Sequence, residues 1–338
     1  MLTEPTFLND VHVKSHRKRR TYECWKCILV QFSFFIMSIA RLQPSLGFSS
    51  SSSDKMPPTS FLTREDGNKI AYLHYNPPAP HNKGESKNQK PGILFCPGFQ
   101  SNMHGSKSHT LLSYCISHNY EYTAFDYYGH GQSSPHKCDE YGTIGRWYED
   151  ALFILDHAAL SNQQIVVGSS MGGWMMLLLA QERSCRVGGL VGIGSAPDFT
   201  VQLEKHIQSN ATLATQMTEN GFADIPTEYD QEGTYRIYRD LLEEAKSHLL
   251  LHNANGEQIQ RNIDIAKDVP VRLIHGLQDE DIPWQSSLDL SKQLTCQDVE
   301  LMLIKNGNHR LSSTQHLDRM VDVLDDILRR VHTLESNS

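Results

Sequence analysis

From residue 60 onward, short apolar runs alternate with amphipathic helical segments, and nothing else in the chain restricts its fold as strongly. A parallel strand buried on both sides is apolar throughout, so this alternation implies a mostly parallel sheet with helices on both faces. Residues 61–64 and 69–75, joined by Glu65-Asp66-Gly67-Asn68, read as an opening hairpin. Six further strands are expected at 92–96, 122–126, 164–167, 189–194, 271–275 and 298–304. Helices are expected between and after them at 107–117, 144–158, 173–183, 284–294 and 314–334. The last carries Leu317, Met320, Val321, Leu324, Ile327, Leu328 and Val331 at a period near the helical one. The expected class is therefore α/β, with an eight-stranded, mostly parallel sheet covered on both faces.

One stretch breaks the alternation. Residues 198–267 show two polar helical patterns and no strand, the second an amphipathic helix over 235–251. An insertion after the sixth strand overlies the carboxyl ends of the strands, where open α/β sheets hold their ligands. It is expected to act as a lid, the alternative being a decorative excursion. The domain is expected to occupy residues 58–335, with Pro57-Pro58 as its boundary.

Residues 1–57 read as a targeting leader and linker. Within residues 1–50 seven Lys/Arg face three acids, a net of +4, which leaves −12 on the rest of the −8 chain. An acidic body without a basic stripe argues against a nucleic-acid partner. The uncharged run 27–40 is short for a membrane-spanning helix, which needs about 20 residues, so no stable span is expected in the mature protein. Signal-peptide core, signal anchor and Arg- and Ser-rich transit peptide all remain open. Seven scattered cysteines do not make a disulfide framework, and Cys24/Cys27 stand without the second pair a metal site needs.

Gly168-Ser169-Ser170-Met171-Gly172 follows an apolar, β-rich run and precedes a helical one. At such an elbow the nucleophile's dihedrals are strained and the residues two positions away must lack bulk, which selects Ser170 over Ser169. A serine hydroxyl needs a base, and the base an orienting acid. With the serine on this elbow, acid and histidine follow in that order. Asp279 sits just past the strand 271–275 and is the expected acid, with Glu280 and Asp281 as rivals. His309, the one histidine between the last strand and the last helix, is the expected base. His275 precedes the acid and reads as a structural, hydrogen-bonded residue. Two backbone amides should bind the oxyanion, Met171 and Phe99, with Gln100 as the alternative to Phe99. The turn Asp126-Tyr127-Tyr128-Gly129-His130-Gly131-Gln132-Ser133 reads as structural, with His130 a loop hydrogen-bonder. No phosphate-cradling motif or zinc-ligand spacing occurs, so no cofactor or metal is expected.

Across residues 60–335 these pieces resemble an α/β-hydrolase. More narrowly, Pro97-Gly98-Phe99, Gly168 to Trp174, Glu232 to Tyr235, His275 to Asp279, Ile282-Pro283-Trp284 and Asn308-His309-Arg310 resemble the abhydrolase-domain family of mitochondrial palmitoyl-protein thioesterases, which also hydrolyse acyl glucuronides. The resemblance implies Ser170 as nucleophile, Asp279 as acid and His309 as base, acting through an acyl-enzyme. It implies an acylated protein or small acyl ester as substrate and a mitochondrial location, the secretory pathway being the alternative. A carboxylesterase or lipase on another ester stays open. A non-catalytic binding protein on this fold would be expected to lack one of the three site residues, all of which have candidates.

Overall fold

A computed structural model describes residues 56–78, 90–134, 142–227 and 233–337. The expected leader, Cys138 and Glu232 lie outside the described residues. In chain order the elements are β1 (Ser60–Thr63), β2 (Lys69–Tyr75), β3 (Gly92–Cys96), α1 (Ser106–His118), β4 (Tyr122–Phe125), α2 (Ile144–His157), β5 (Gln164–Ser169), α3 (Met171–Glu182) and β6 (Val187–Ile193). Then come α4 (Phe199–Ser209), α5 (Ala211–Asn220), β7 (Phe222–Pro226), β8 (Thr234–Tyr238), α6 (Arg239–Ala245), β9 (Val271–Gly276), α7 (Gln285–Gln293), β10 (Val299–Ile304) and α8 (Thr314–Asn337).

Eight strands form one sheet in the order β1-β2-β4-β3-β5-β6-β9-β10. The expected opening hairpin supplies the two antiparallel pairings, β1 with β2 and β2 with β4, and every later pairing is parallel. Side-chain alternation divides each central strand between two apolar layers. Leu94, Val166, Leu190 and Leu273 join α2 and α3 on one face, while Ile93, Ile165, Val191 and Ile274 join α1 and α8 on the other. Helix α3 is buried around its whole circumference from Met171 to Ala180, because the insertion covers the side turned away from the sheet. Trp174 ties the two together, its indole N–H donating to His248 O at 3.0 Å.

The insertion differs from the expectation in one respect. It contains strands: β7 and β8 pair antiparallel as a separate two-stranded sheet, with Ala223 opposite Ile237. The helix expected over 235–251 is instead β8, the short α6 and a single 3-10 turn at Lys246–His248. Tyr235, Arg236, Ile237 and Tyr238 are β-branched, aromatic or long, and burial of Ile237 against Ala223 outweighs their weak helical periodicity. Gly221 and Gly233, both at positive φ, stand directly before β7 and β8 and turn the chain into them.

Asp198 ties the start of this insertion to its later part. It is 1% exposed, and its carboxylate accepts the N–H groups of Leu250 (2.8 Å), Leu251 (2.6 Å) and His252 (2.9 Å). Its φ of 60° is one that Asn tolerates and Ala resists. Asp198→Ala is therefore expected to lower the unfolding free energy by about 2–4 kcal/mol, two buried donors and one half-buried donor losing their acceptor at once. Asp198→Asn should lose less, and urea titration of the three proteins checks the order.

Candidate active site

β5 lies at the sheet's centre, between β3 and β6, with Cys96 opposite Gly168 and Ser169 opposite Ile193. The chain leaves β5 through Ser170, whose φ of 55° and ψ of −120° are unusual for a residue with a Cβ. Neighbours fix that conformation from both sides. The Ser170 N–H donates to Ile193 O at 2.9 Å, and its carbonyl accepts from Gly173 N (2.8 Å) and Ala196 N (3.1 Å). Bulk is excluded at both flanking glycines: a Cβ on Gly168 would collide with the Gly172 carbonyl, and one on Gly172 with the Cys96 carbonyl.

Ser170, His309 and Asp279 stand in one hydrogen-bonded line. His309 Nε2 is 2.9 Å from Ser170 Oγ, and His309 Nδ1 is 2.8 Å from Asp279 Oδ2. A carboxylate only accepts, so Nδ1 carries the proton and Nε2 is left to accept from the serine hydroxyl. Asp279, not Asp281, faces the imidazole; Asp281 gives its backbone N–H to Asp279 Oδ1 at 3.0 Å, beside that of Ile282 at 2.8 Å. The Asp279 carboxylate is fully buried. Burial alone would push it up, but hydrogen bonds from His275, His309 and the Ile282 amide outweigh burial and hold it well below the usual carboxylate range.

His275 does more than the sequence suggested. It is hydrogen-bonded as expected, but its Nε2 lies 3.0 Å from Asp279 Oδ2 as well as from Ile282 O, and Ser287 Oγ donates to its Nδ1 at 2.7 Å. Two imidazoles thus share one carboxylate oxygen. The Ile282 backbone both donates to Asp279 and accepts from His275. Asp279, Asp281 and His309 also present ligand atoms within 4.8 Å of one another. A cation there would have to take one ring nitrogen of His309 out of the hydrogen bond it already makes.

The loop after β3 approaches the elbow from across the sheet. A Cβ on Gly98 would lie 3.2 Å from Ser170 Cβ and 3.3 Å from Ser169 O, tighter than ordinary contact, so a side chain there would press on the elbow. Among the described residues neither the Phe99 nor the Met171 amide donates a backbone hydrogen bond. Gln100, the expected alternative, sits in the left-handed region at φ 53°. The turn from Asp126 buttresses this loop: Asp126 Oδ1 accepts from Met103 N at 2.7 Å and Oδ2 from Gln132 N at 2.8 Å. His130 is held by Tyr128 O at 3.1 Å, and burial pushes its imidazole down to about 4, so it is neutral near pH 7.

Ser170 and His309 open onto a cavity of about 190 Å³ lined also by Phe99, Tyr235, Lys107 and Arg310. Lys107 carried no role in the sequence, since a lysine at a helix start ordinarily faces water, and Tyr235 and Arg310 entered only as members of the quoted motifs. The Lys107 ammonium donates to Arg310 O, and burial, with Arg310 beside it, pushes Lys107 down to about 8.

A depressed carboxyl stabilises the fold above its unfolded-state value, and the contribution disappears as pH falls through the folded-state one. The stability difference between the protein and Asp279→Asn should therefore be full above about pH 5 and shrink towards pH 2, as read from urea titrations across that range.

The family described as serine aminopeptidase, S33 matches residues 87–315. The chain is 34% identical over 275 residues to the mitochondrial palmitoyl-protein thioesterase ABHD10 of Bos taurus, covering 81% of each chain. Among solved structures, mouse alpha/beta hydrolase domain-containing protein 10 is 32% identical with a TM-score of 0.68, covering 81% of this chain and 99% of that one. A putative hydrolase from Agrobacterium vitis S4 is likewise 32% identical, with a TM-score of 0.69 over 80% of this chain and 98% of the other. Among the described residues no helix is long and apolar enough to cross a membrane. The sheet order, the elbow and these matches together establish that the chain belongs to the α/β-hydrolase family of serine hydrolases.

Proposed function

We propose that the protein hydrolyses acyl thioesters and esters, S-palmitoyl cysteine in proteins and acyl glucuronides among them, through an acyl-enzyme on Ser170. The unbroken line from Ser170 Oγ through His309 to the buried Asp279 carboxylate carries this reading. His309 Nε2 takes the hydroxyl proton as Oγ bonds to the acyl carbon. It then returns that proton to the leaving sulfur or oxygen as the old bond breaks. Water attacks the acyl-enzyme by the same route in reverse, releasing the acid and restoring Ser170. Asp279 keeps Nδ1 protonated and steadies the imidazolium. The Phe99 and Met171 amides receive the developing oxyanion.

The choice of thioester rests on the relatives, whose printed names describe palmitoyl-protein thioesterases. Those names, together with the Arg- and Ser-bearing leader, support a mitochondrial location for this protein. One observation favours a second reading, an esterase for smaller acyl groups. A cavity of about 190 Å³ falls below the roughly 300–1,000 Å³ of sites that enclose a drug-sized ligand. In the first reading the insertion is a lid that moves aside for a palmitoyl chain; in the second it stays where it is. Rates on a palmitoyl thioester and on a p-nitrophenyl ester of a short acid separate the two, and activity confined to the short ester would remove the depalmitoylase reading.

An active-site fluorophosphonate should label the protein and fail to label Ser170→Ala, whose kcat should fall by about 10⁴-fold or more. Labelling that persists in the variant would refute Ser170 as nucleophile. Gly98→Ala should lower kcat by about 10²-fold with a smaller change in KM, because its methyl pushes the Phe99 amide away from the oxyanion. Steady-state kinetics on the same ester is the check.

A further inference from the structure

The cavity at Ser170 has a charge that the proposed reaction does not use. No Asp or Glu is among the described residues that line it, yet Lys107 and Arg310 both are. Lys107 belongs to the first turn of α1, a helix whose N-cap, Gly105, makes no side-chain cap and whose first turn holds no acid. Gly105, Ser106 and Ser108 of the same turn also line the cavity. Among the described residues Lys107 has no acidic partner, its one hydrogen bond running to the neutral carbonyl of Arg310. Elsewhere on the body basic side chains near acids pair with them, as Arg272 does with Asp298 and Asp326.

We propose that Lys107, with Arg310 beside it, forms an anion subsite that selects substrates whose leaving group carries a carboxylate or phosphate close to the scissile bond. The assignment to the leaving-group side follows from placement. Lys107 is tied to the residue directly after His309, and His309 is the group that hands the proton to the departing atom. An anion held at Lys107 therefore sits on the imidazole's side of the acyl carbon. Partial burial, which pushes the ammonium down to about 8, is offset when an anion arrives, so the lysine gains from such a substrate and not from a neutral one. This inference rests on the acyl-hydrolase reading above and deepens it.

The test compares 4-butyryloxybenzoate and 4-butyryloxyphenyl phosphate with the neutral 4-butyryloxybenzamide. The readout is the ratio of kcat/KM values, so that any general loss from a disturbed His309 loop cancels. In Lys107→Met the preference for the anionic ester should fall about tenfold, mainly through KM, and Lys107→Arg should restore much of it. A fall with the carboxylate alone, or with the phosphate alone, says which anion the subsite takes. An unchanged ratio in Lys107→Met, or no anionic preference in the parent protein, overturns the proposal and leaves Lys107 as a prop for the loop. If no ester is turned over although Ser170 is labelled, the hydrolytic reading fails by itself. The subsite is then judged by whether 4-hydroxybenzoate, more than 4-hydroxybenzamide, slows fluorophosphonate labelling of the parent and not of Lys107→Met; equal protection in both proteins refutes it.

Discussion

The site depends on backbone meeting backbone beneath the elbow. Gly172 lies so close to the Cys96 and Pro97 carbonyls that a Cβ there would overlap them, and Gly168 lies as close to Gly172. This contact lets the first turn of α3 descend onto the loop leaving β3. This is the approach that the proposed oxyanion role of the Met171 and Phe99 amides requires. The parallel pairing of Cys96 with Gly168 fixes the height at which the two loops leave the sheet. Strain at Ser170, of the order of 1–3 kcal/mol for such dihedrals, is tolerated because Ile193, Gly173 and Ala196 all bond to its backbone. A side chain at Gly168 or Gly172 would force this junction of β3, β5 and α3 apart.

Asp279 and His309 reach each other through a second close approach of the same kind. β9 and β10 pair in parallel with Gly276 opposite Ile304, so the two following loops leave the sheet side by side. Gln278 N–H then bonds Gly307 O at 2.8 Å, and a Cβ on Gly276 would strike that same carbonyl. Asp279 and His309, 30 residues apart in the chain, become neighbours by this pairing. Four donors saturate the buried carboxylate: two backbone amides on Oδ1, and His309 and His275 on Oδ2. The result is an acid that stays ionised although it is shut away from water.

Much of this could be read from the sequence, for a physical reason. Strands such as Ile93–Phe95 and Ile165–Val167 are apolar on both faces, a pattern that a half-buried helix does not produce, and each is followed by glycine or a turn residue. Ser170, Asp279 and His309 were legible because each stands just past the carboxyl end of a strand. The insertion was not. Over residues 235–251 the residues Ile237, Leu241, Leu242 and Ala245 are all buried, and their spacing satisfies a helix. What breaks the helix at Tyr238 is pairing with Phe222–Pro226, a tertiary contact invisible to local periodicity. The second bond of Asp279, to His275, was hidden for a related reason. On an extended strand four residues separate the two widely, and only the turn at Gly276 folds the acid back over its own strand.

The charge in the cavity is the part that composition would have misjudged most. Residues 51–338 carry a net −12, which taken alone suggests that anionic substrates would be repelled. Field near a site depends on which charges line it and on how little water separates them, not on the total. Here a lysine from the start of α1 and an arginine 203 positions later are brought to one wall by the β3 and β10 loops. The bond from Lys107 to the Arg310 carbonyl also couples that wall to the base. An anion held at Lys107 would lie beside the imidazole proposed to protonate the leaving atom.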